Sequence, residues 1–342
     1  MNAEGPRAVP PSRARRWRVL LIALVALGLA PGTFLRTPLG DRSDRAAVTV
    51  TPLSARGGTS GELALTGVWE LTSAHNWFGG FSALVAGKDG TLITASDRGF
   101  LFDLDLSGGT PRAVPGSYRF VGVRKGPRAE IIDLESLARD PATGTLWAGF
   151  ENDNVVMRFA PDGTRRINAP PAMAEWSANS GAETMERLAD GRFLVIAEGP
   201  EDGSDTLHQG LMYPGDPIGP GKPRAFRFAA PAGYDPVDAA QVPDGRVLIL
   251  LRRVEYALPP RFDTAIAIAD PRGIRPGQPW RARIIQRMNG GMLADNFEGI
   301  AFVPSPDDPS RGALWVIADD NFSVFQRSLL IRFDWPGPAP AP

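Results

Sequence analysis

Apolar residues in this 342-residue chain fall into short runs closed by turn residues, without the i, i+3, i+4 stripes of long helices. Five of the runs share one frame: a turn ending in glycine, an apolar strand, then a charged residue. They are GTLITASD (90–97), GTLWAGFE (144–151), GRFLVIAE (191–198), GRVLILLR (245–252) and GALWVIAD (312–319). Upstream of each is a second short apolar run: SALV from Ser82, ESLA from Glu135, ETME from Glu183, DAAQ from Asp238 and EGIA from Glu298. The openings are 53, 48, 55 and 60 residues apart, too long for a solenoid coil and suited to a four-stranded blade. The pattern predicts an all-β fold, a β-propeller with five blades counted from the repeats. Residues 199–236 are long enough to hold a sixth.

Strand 62–71 has no repeat partner before it. It is expected to close the ring beside residues 328–335, which removes the exposed edge of an open circle. Those bounds place the domain at 62–335, after a flexible polar linker at 37–61 and before a proline-rich disordered tail at 336–342. The stretch GPEDGSDTLHQGLMYPGDPIGPGKPR (199–224) reads as a long loop, either a lid over the channel or a surface insertion.

The innermost strand of every blade lines the channel of a propeller, so equivalent positions converge on the axis. Ser82, Glu135, Glu183, Asp238 and Glu298 are therefore expected to face one another at one mouth. Carboxylates that close raise one another's pKa unless a cation joins them. Glu135, Glu183, Asp238 and Glu298 are the candidate metal ligands, with a second acidic tier at Asp97, Glu151, Glu198 and Asp319. An all-oxygen donor set points to calcium. Arg252 stands where other repeats end in an acid, Arg253 follows it and Arg98 follows Asp97. These three are candidates for holding a substrate oxyanion. Glu198 and Asp319 are candidates for the base that activates water.

Composition narrows the chemistry. The chain has no cysteine and only two histidines, His75 and His208, which excludes disulfides, thiolate metal sites and a cysteine nucleophile. There is no G-x-S-x-G elbow, dinucleotide fingerprint or phosphate loop. A net charge of −1 gives no reason to expect nucleic acid as a partner. Arg13, Arg15, Arg16 and Arg18 precede an apolar run at 19–30, the layout of a signal sequence or, uncleaved, of an N-terminal membrane anchor over residues 1–36. The pair Arg15-Arg16 hints at twin-arginine export. Either reading places a monomeric domain in the periplasm or outside the cell, touching a membrane only through its N-terminus.

The segments DLESLARDPATGTLWAGFEND, GAETMERLADGRFLVIAEG and DNFEGIAFVP followed by GALWVIADDN resemble the phytase-like esterase family of secreted bacterial proteins. The resemblance runs over residues 77–335. It implies a propeller, export, and hydrolysis of a phosphate or carboxyl ester of a small molecule. Only Lys88, Lys125 and Lys222 are lysines, which argues against a highly phosphorylated substrate. Two other readings stay open. One is a gluconolactonase-type lactonase, with Asn154 and Asn321 beside the metal. The other is a periplasmic binding or scaffold propeller without activity.

Overall fold

The computed structural model describes residues 17–25, 42, 45–54, 57–124, 130–131, 133–177, 181–257 and 260–337. The chain separates into two units, residues 1–38 and residues 39–342. In the first, residues 17–25 form a helix. Among the described residues no helix is long and apolar enough to cross a membrane.

The second unit is a propeller of five antiparallel blades. Blade 1 is built on Phe81–Ala86, Thr91–Ser96 and Phe100–Asp105, blade 2 on Leu134–Arg139, Leu146–Phe150, Val155–Phe159 and Arg165–Asn168. Blade 3 uses Thr184–Arg187, Phe193–Pro200, Leu207–Tyr213 and Arg224–Ala229, and blade 4 Asp235–Gln241, Val247–Glu255, Arg261–Ala269 and Arg283–Met288. Blade 5 consists of Phe297–Pro304, Gly312–Ala318 and Leu329–Trp335, completed from the start of the domain by Ala64–Ser73. That closure pairs Leu329 with Glu70, Leu330 with Trp69 and Ile331 with Val68, as expected from residues 62–71 and 328–335.

The core consists of five clusters, each shared by two adjacent blades. Leu248 and Leu250 face blade 5, whereas Val247, Ile249 and Leu251 face blade 3. Second strands are thus covered on both faces, which is why they read as unbroken apolar runs and not as alternation. Around the axis, short polar side chains tie neighbouring inner strands. Ser82 donates to the Leu134 carbonyl, Ser136 to the Ala182 carbonyl, and Asp238 accepts from the Ile300 amide at 2.7 Å.

Two expectations need correction. Residues 37–61 are not simply a linker: Val48–Pro52 pairs with the closing strand, and Thr59–Gly61 pairs with the outer strand of blade 4. Both cover edges that would otherwise lie open, and Val48 and Val50 pack against the core between blades 5 and 1. Residues 199–224 are not one loop. Leu207–Tyr213 is the third strand of blade 3, with Leu211, Met212 and Tyr213 buried, and the loop proper is residues 214–223. The sixth blade has no counterpart among the described sheets.

Closure makes a testable demand. Deleting residues 1–45 should leave the melting temperature unchanged, whereas deleting residues 1–73 should remove cooperative unfolding in calorimetry. Leu71→Ala, at a site 2% exposed, should cost about 2–5 kcal/mol in denaturant titration. An equally stable protein without residues 1–73 would refute closure.

Candidate functional site

The five second strands run toward the same mouth and bring there Asp97, Glu151, Glu198, Arg252 and Asp319. Opposite these ends the inner strands are irregular. Register shifts lie between Phe81 and Ala83, Leu134 and Ser136, Pro236 and Asp238, and Phe297 and Gly299. The unpaired residue of such a bulge is re-aimed relative to the regular pleat. It is Ser82 in blade 1, Glu135 in blade 2, Val237 in blade 4 and Glu298 in blade 5. In blade 3 the ladder begins at Thr184, immediately after Glu183.

Asp238 is therefore one residue out of register with the acidic ring, and Val237 holds the ring position. Asp238 is 1% exposed, and its two carboxylate oxygens accept the amides of Ala239 and Ile300. It ties blade 4 to blade 5 and is set apart from the other three expected ligands.

Two residues before each bulge lies a further tier, which the reading of the sequence missed. Gly80, Asp133, Gly181 and Asn296 accept through their carbonyls the amides of Asp97, Glu151, Glu198 and Asp319, and Asp235 pairs in register with Arg252. Asp133, Asp235 and Asn296 thus stand beside the strand ends. The signal was the alternation in DLE (133–135) and NFE (296–298), where period two puts both polar residues on one side.

Carboxylates converge here. The oxygens of Asp133, Glu135 and Glu151 lie within 4.8 Å of one another, and so do those of Glu151, Glu183 and Glu198. Of the expected ligands, Glu135 and Glu183 belong to these trios. Glu298 instead meets Arg252 and accepts from the Asn296 side chain at 2.7 Å. Arg252 spans the mouth, donating to Glu298, to Glu198 and to Asn296 Oδ1. Its two terminal nitrogens are committed to protein acceptors, so in this arrangement it is a counter-ion and not an open anion holder. Asp319 is 5% exposed, and its carboxylate accepts the Asn321 amide at 2.6 Å.

Arg253 points elsewhere, because successive strand residues face opposite sides. It binds Asp263 at 2.8 Å and lies over the Tyr234 ring. Arg98 stays at the mouth, where it donates to the Asn76 carbonyl and lies over the Phe322 ring. Asn154 and Asn321 both adopt left-handed backbone in turns at the mouth, and the Asn154 side chain donates through Nδ2 to the Trp176 carbonyl. His208, within the stretch expected to be a long loop, is fully buried in the third strand of blade 3. Its Nδ1 lies 2.6 Å from the Glu198 carbonyl oxygen, and burial lowers its pKa.

Electrostatics at the mouth are dominated by burial, followed by repulsion. Burial, with Glu298 and Asp133 adding to it, pushes Asp97 up to about 7 despite Arg98. Glu151 also rises to about 7, through burial reinforced by Asp133 and Glu198. Glu135, Glu183 and Asp319 are raised well above the carboxylate range, by burial first and then by one another's neighbours. Burial raises Asp235 to about 6, and raises Glu298 against the pull of Arg252. Burial disfavours the charge of Arg252, but Glu298, Glu198, Glu183 and Asp319 outweigh it and raise its pKa.

A sequence model of the family described as "Phytase-like: Esterase-like activity of phytase" matches residues 76–322. No curated protein matches the chain. Among solved structures it is similar to a streptogramin B lyase, at 10% identity over 84% of this chain and 98% of that one, with a TM-score of 0.38. A gluconolactonase from Xanthomonas campestris is 10% identical over 87% of this chain and 98% of that one, with a TM-score of 0.41. A virginiamycin B lyase from Staphylococcus aureus is 10% identical over 85% of this chain and 99% of that one, with a TM-score of 0.39. None of their activities transfers to this chain at such a likeness.

The raised carboxyls predict an unusual pH dependence. Between pH 4 and 7 the unfolded chain has lost protons that Asp97 and Glu151 still hold when folded, so stability falls as pH rises through about 7. In chelator, denaturant titrations should show the protein more stable at pH 5 than at pH 8. A stability that climbs over that interval would contradict the burial of these groups as acids.

Proposed function

Because the chain belongs to the phytase-like family with esterase-like activity, we propose that it is an exported hydrolase that cleaves a phosphate or carboxyl ester at the mouth of its channel, with calcium as cofactor. The observation that carries the reading is the pair of carboxylate trios sharing Glu151. These donors are all oxygen and half-buried or buried, and the raised pKa values of Asp133, Glu135, Glu151 and Glu183 mark a place where positive charge is in deficit. Such a donor set suits a hard cation. Glu135, Glu151 and Glu183 would hold the ion, with Asp133 and Glu198 at its margin. When bound, calcium would polarise the ester oxygen and offset the charge that develops on it.

The chain's own groups divide the remaining work. Glu198, fixed by Arg252 and by its place at the end of a core strand, accepts the proton of the attacking water. Asp97, at about 7, still carries a proton near neutral pH and can donate it to the leaving oxygen, a task Asp319 can share. Arg252 serves as a positioning residue for Glu198 and Glu298. Arg98, which donates to the Asn76 carbonyl at the rim, would have to exchange that contact to meet an anionic substrate, and Arg253, engaged by Asp263, is not used. The basic and then apolar N-terminal segment supports placement outside the cytoplasm.

Hydrolysis of nitrophenyl phosphate and nitrophenyl acetate by the purified protein, in millimolar calcium and in chelator, tests this reading. Activity should require calcium, and Glu183→Gln should abolish it together with calcium binding. Glu198→Gln should retain calcium binding but lose about 10²-fold or more in kcat, as expected for a lost general base. Calcium binding without hydrolysis of either ester would favour the binding or scaffold reading. Absence of calcium affinity would remove the cofactor.

A further inference from the structure

Blade 3 departs from the four-strand repeat in two places, and both departures wall the same cleft. The first is the proline-rich loop 214–223 between its third and fourth strands. Asp216 pins that loop to blade 2, accepting from Trp147 Nε1 at 2.9 Å and pairing with Arg158 at 2.5 Å. The second is an insertion from blade 4, whose strand Trp280–Arg281 adds in parallel to the outer edge of blade 3. The Trp280 indole anchors it by donating to the Asp270 carbonyl at 2.9 Å. A propeller needs neither segment to close, and both are held by buried or half-buried partners.

Between them lies a cleft of about 920 Å³, within the range of small-molecule sites. Its Tyr213 end is set back from the channel mouth, while its Glu201 end lies three residues beyond Glu198. Tyr213 pairs with Phe193, five residues before Glu198 along the second strand, a separation of about 17 Å at ~3.3 Å per residue. Its apolar body comes from Leu211 and Tyr213, both buried, with Ala225 beside them on the same face. Tyr213 is 2% exposed, its hydroxyl has no hydrogen-bond partner, and burial raises its pKa to about 12. A buried hydroxyl left unpaired costs free energy that a ligand acceptor would recover. The charge at the cleft is unbalanced: Lys222, Arg227 and Arg275 line it with one acid, Glu201, whose contact with Arg227 is a loose 3.9 Å.

We infer that this cleft is a second binding site, for a small anion with an apolar body such as an aromatic carboxylate or sulfonate. The apolar part packs on Leu211, Tyr213 and Ala225, and the anionic group meets Lys222 and Arg227. This site stands independently of the chemistry at the channel mouth.

Titration with the fluorescent anion anilinonaphthalene sulfonate, beside its neutral relative N-phenylnaphthylamine, tests the assignment. One saturable site is expected for the sulfonate. Ala225→Trp, an exposed strand position lining the cleft, should fill it and abolish binding of both probes. Lys222→Ala combined with Arg227→Ala changes only exposed side chains. It should weaken the sulfonate about tenfold, the scale of a lost charge-assisted contact, and leave the neutral probe unchanged. Undiminished sulfonate binding by Ala225→Trp, at an unchanged melting temperature, would place the site elsewhere. Equal weakening of both probes, or no weakening, in the double variant would overturn anion recognition.

Discussion

Repulsion between buried carboxyl groups at the channel mouth is the constraint around which this protein is arranged. Asp97, Asp133, Glu135, Glu151, Glu183, Glu198, Asp235, Glu298 and Asp319 converge there, and the guanidinium buried among them is that of Arg252. Two carboxylates 4.8 Å apart repel by about 3 kcal/mol at an effective dielectric constant near 20. A trio in which all three are ionised therefore costs more than holding one proton through two pKa units. The groups respond by keeping protons, by pairing with Arg252, or by taking up the cation proposed here. Such a concentration of like charge persists only in a scaffold rigid enough to hold it.

That rigidity comes from closure. Each blade buries both faces against its neighbours, so five inter-blade cores form one continuous ring, and Ala64–Ser73 completes it by pairing with Leu329–Trp335. Inner strands are further bound to one another by Ser82, Ser136 and Asp238, whose side chains reach the backbone of the next blade. Bulges at the mouth turn Glu135 and Glu298 out of the regular pleat. Local irregularity supplies the site and global regularity holds it in place, a division common to scaffolds that carry their chemistry at strand ends.

How much of this was legible in the sequence follows from where each signal lives. The five glycine-led runs were plain because a strand packed on both faces must be apolar throughout, and their ends marked Asp97, Glu151, Glu198, Arg252 and Asp319 together. The edge strands Val48–Pro52 and Thr59–Gly61 were hidden, since a short strand paired on one side needs little apolar content. Leu207–Tyr213 was masked by the glycines and prolines around it. The Asp238 register was misjudged because matching the openings by residue type takes the acid that follows the bulge in blade 4 for the bulged residue itself, which is Val237. Arg252 is a related case. The sequence places it correctly at the mouth, but only three-dimensional proximity reveals that Glu198 and Glu298 already occupy its guanidinium.

The central claim is that the mouth carries protons in place of a cation, and it is tested most directly by counting protons when calcium binds. Calorimetric titrations at pH 6, in buffers of different ionisation enthalpy, give that number from the slope of apparent enthalpy against buffer enthalpy. The account predicts release of at least about one proton per calcium ion, because Glu135, Glu151 and Glu183 must ionise to hold it. Binding that releases no proton would contradict the account.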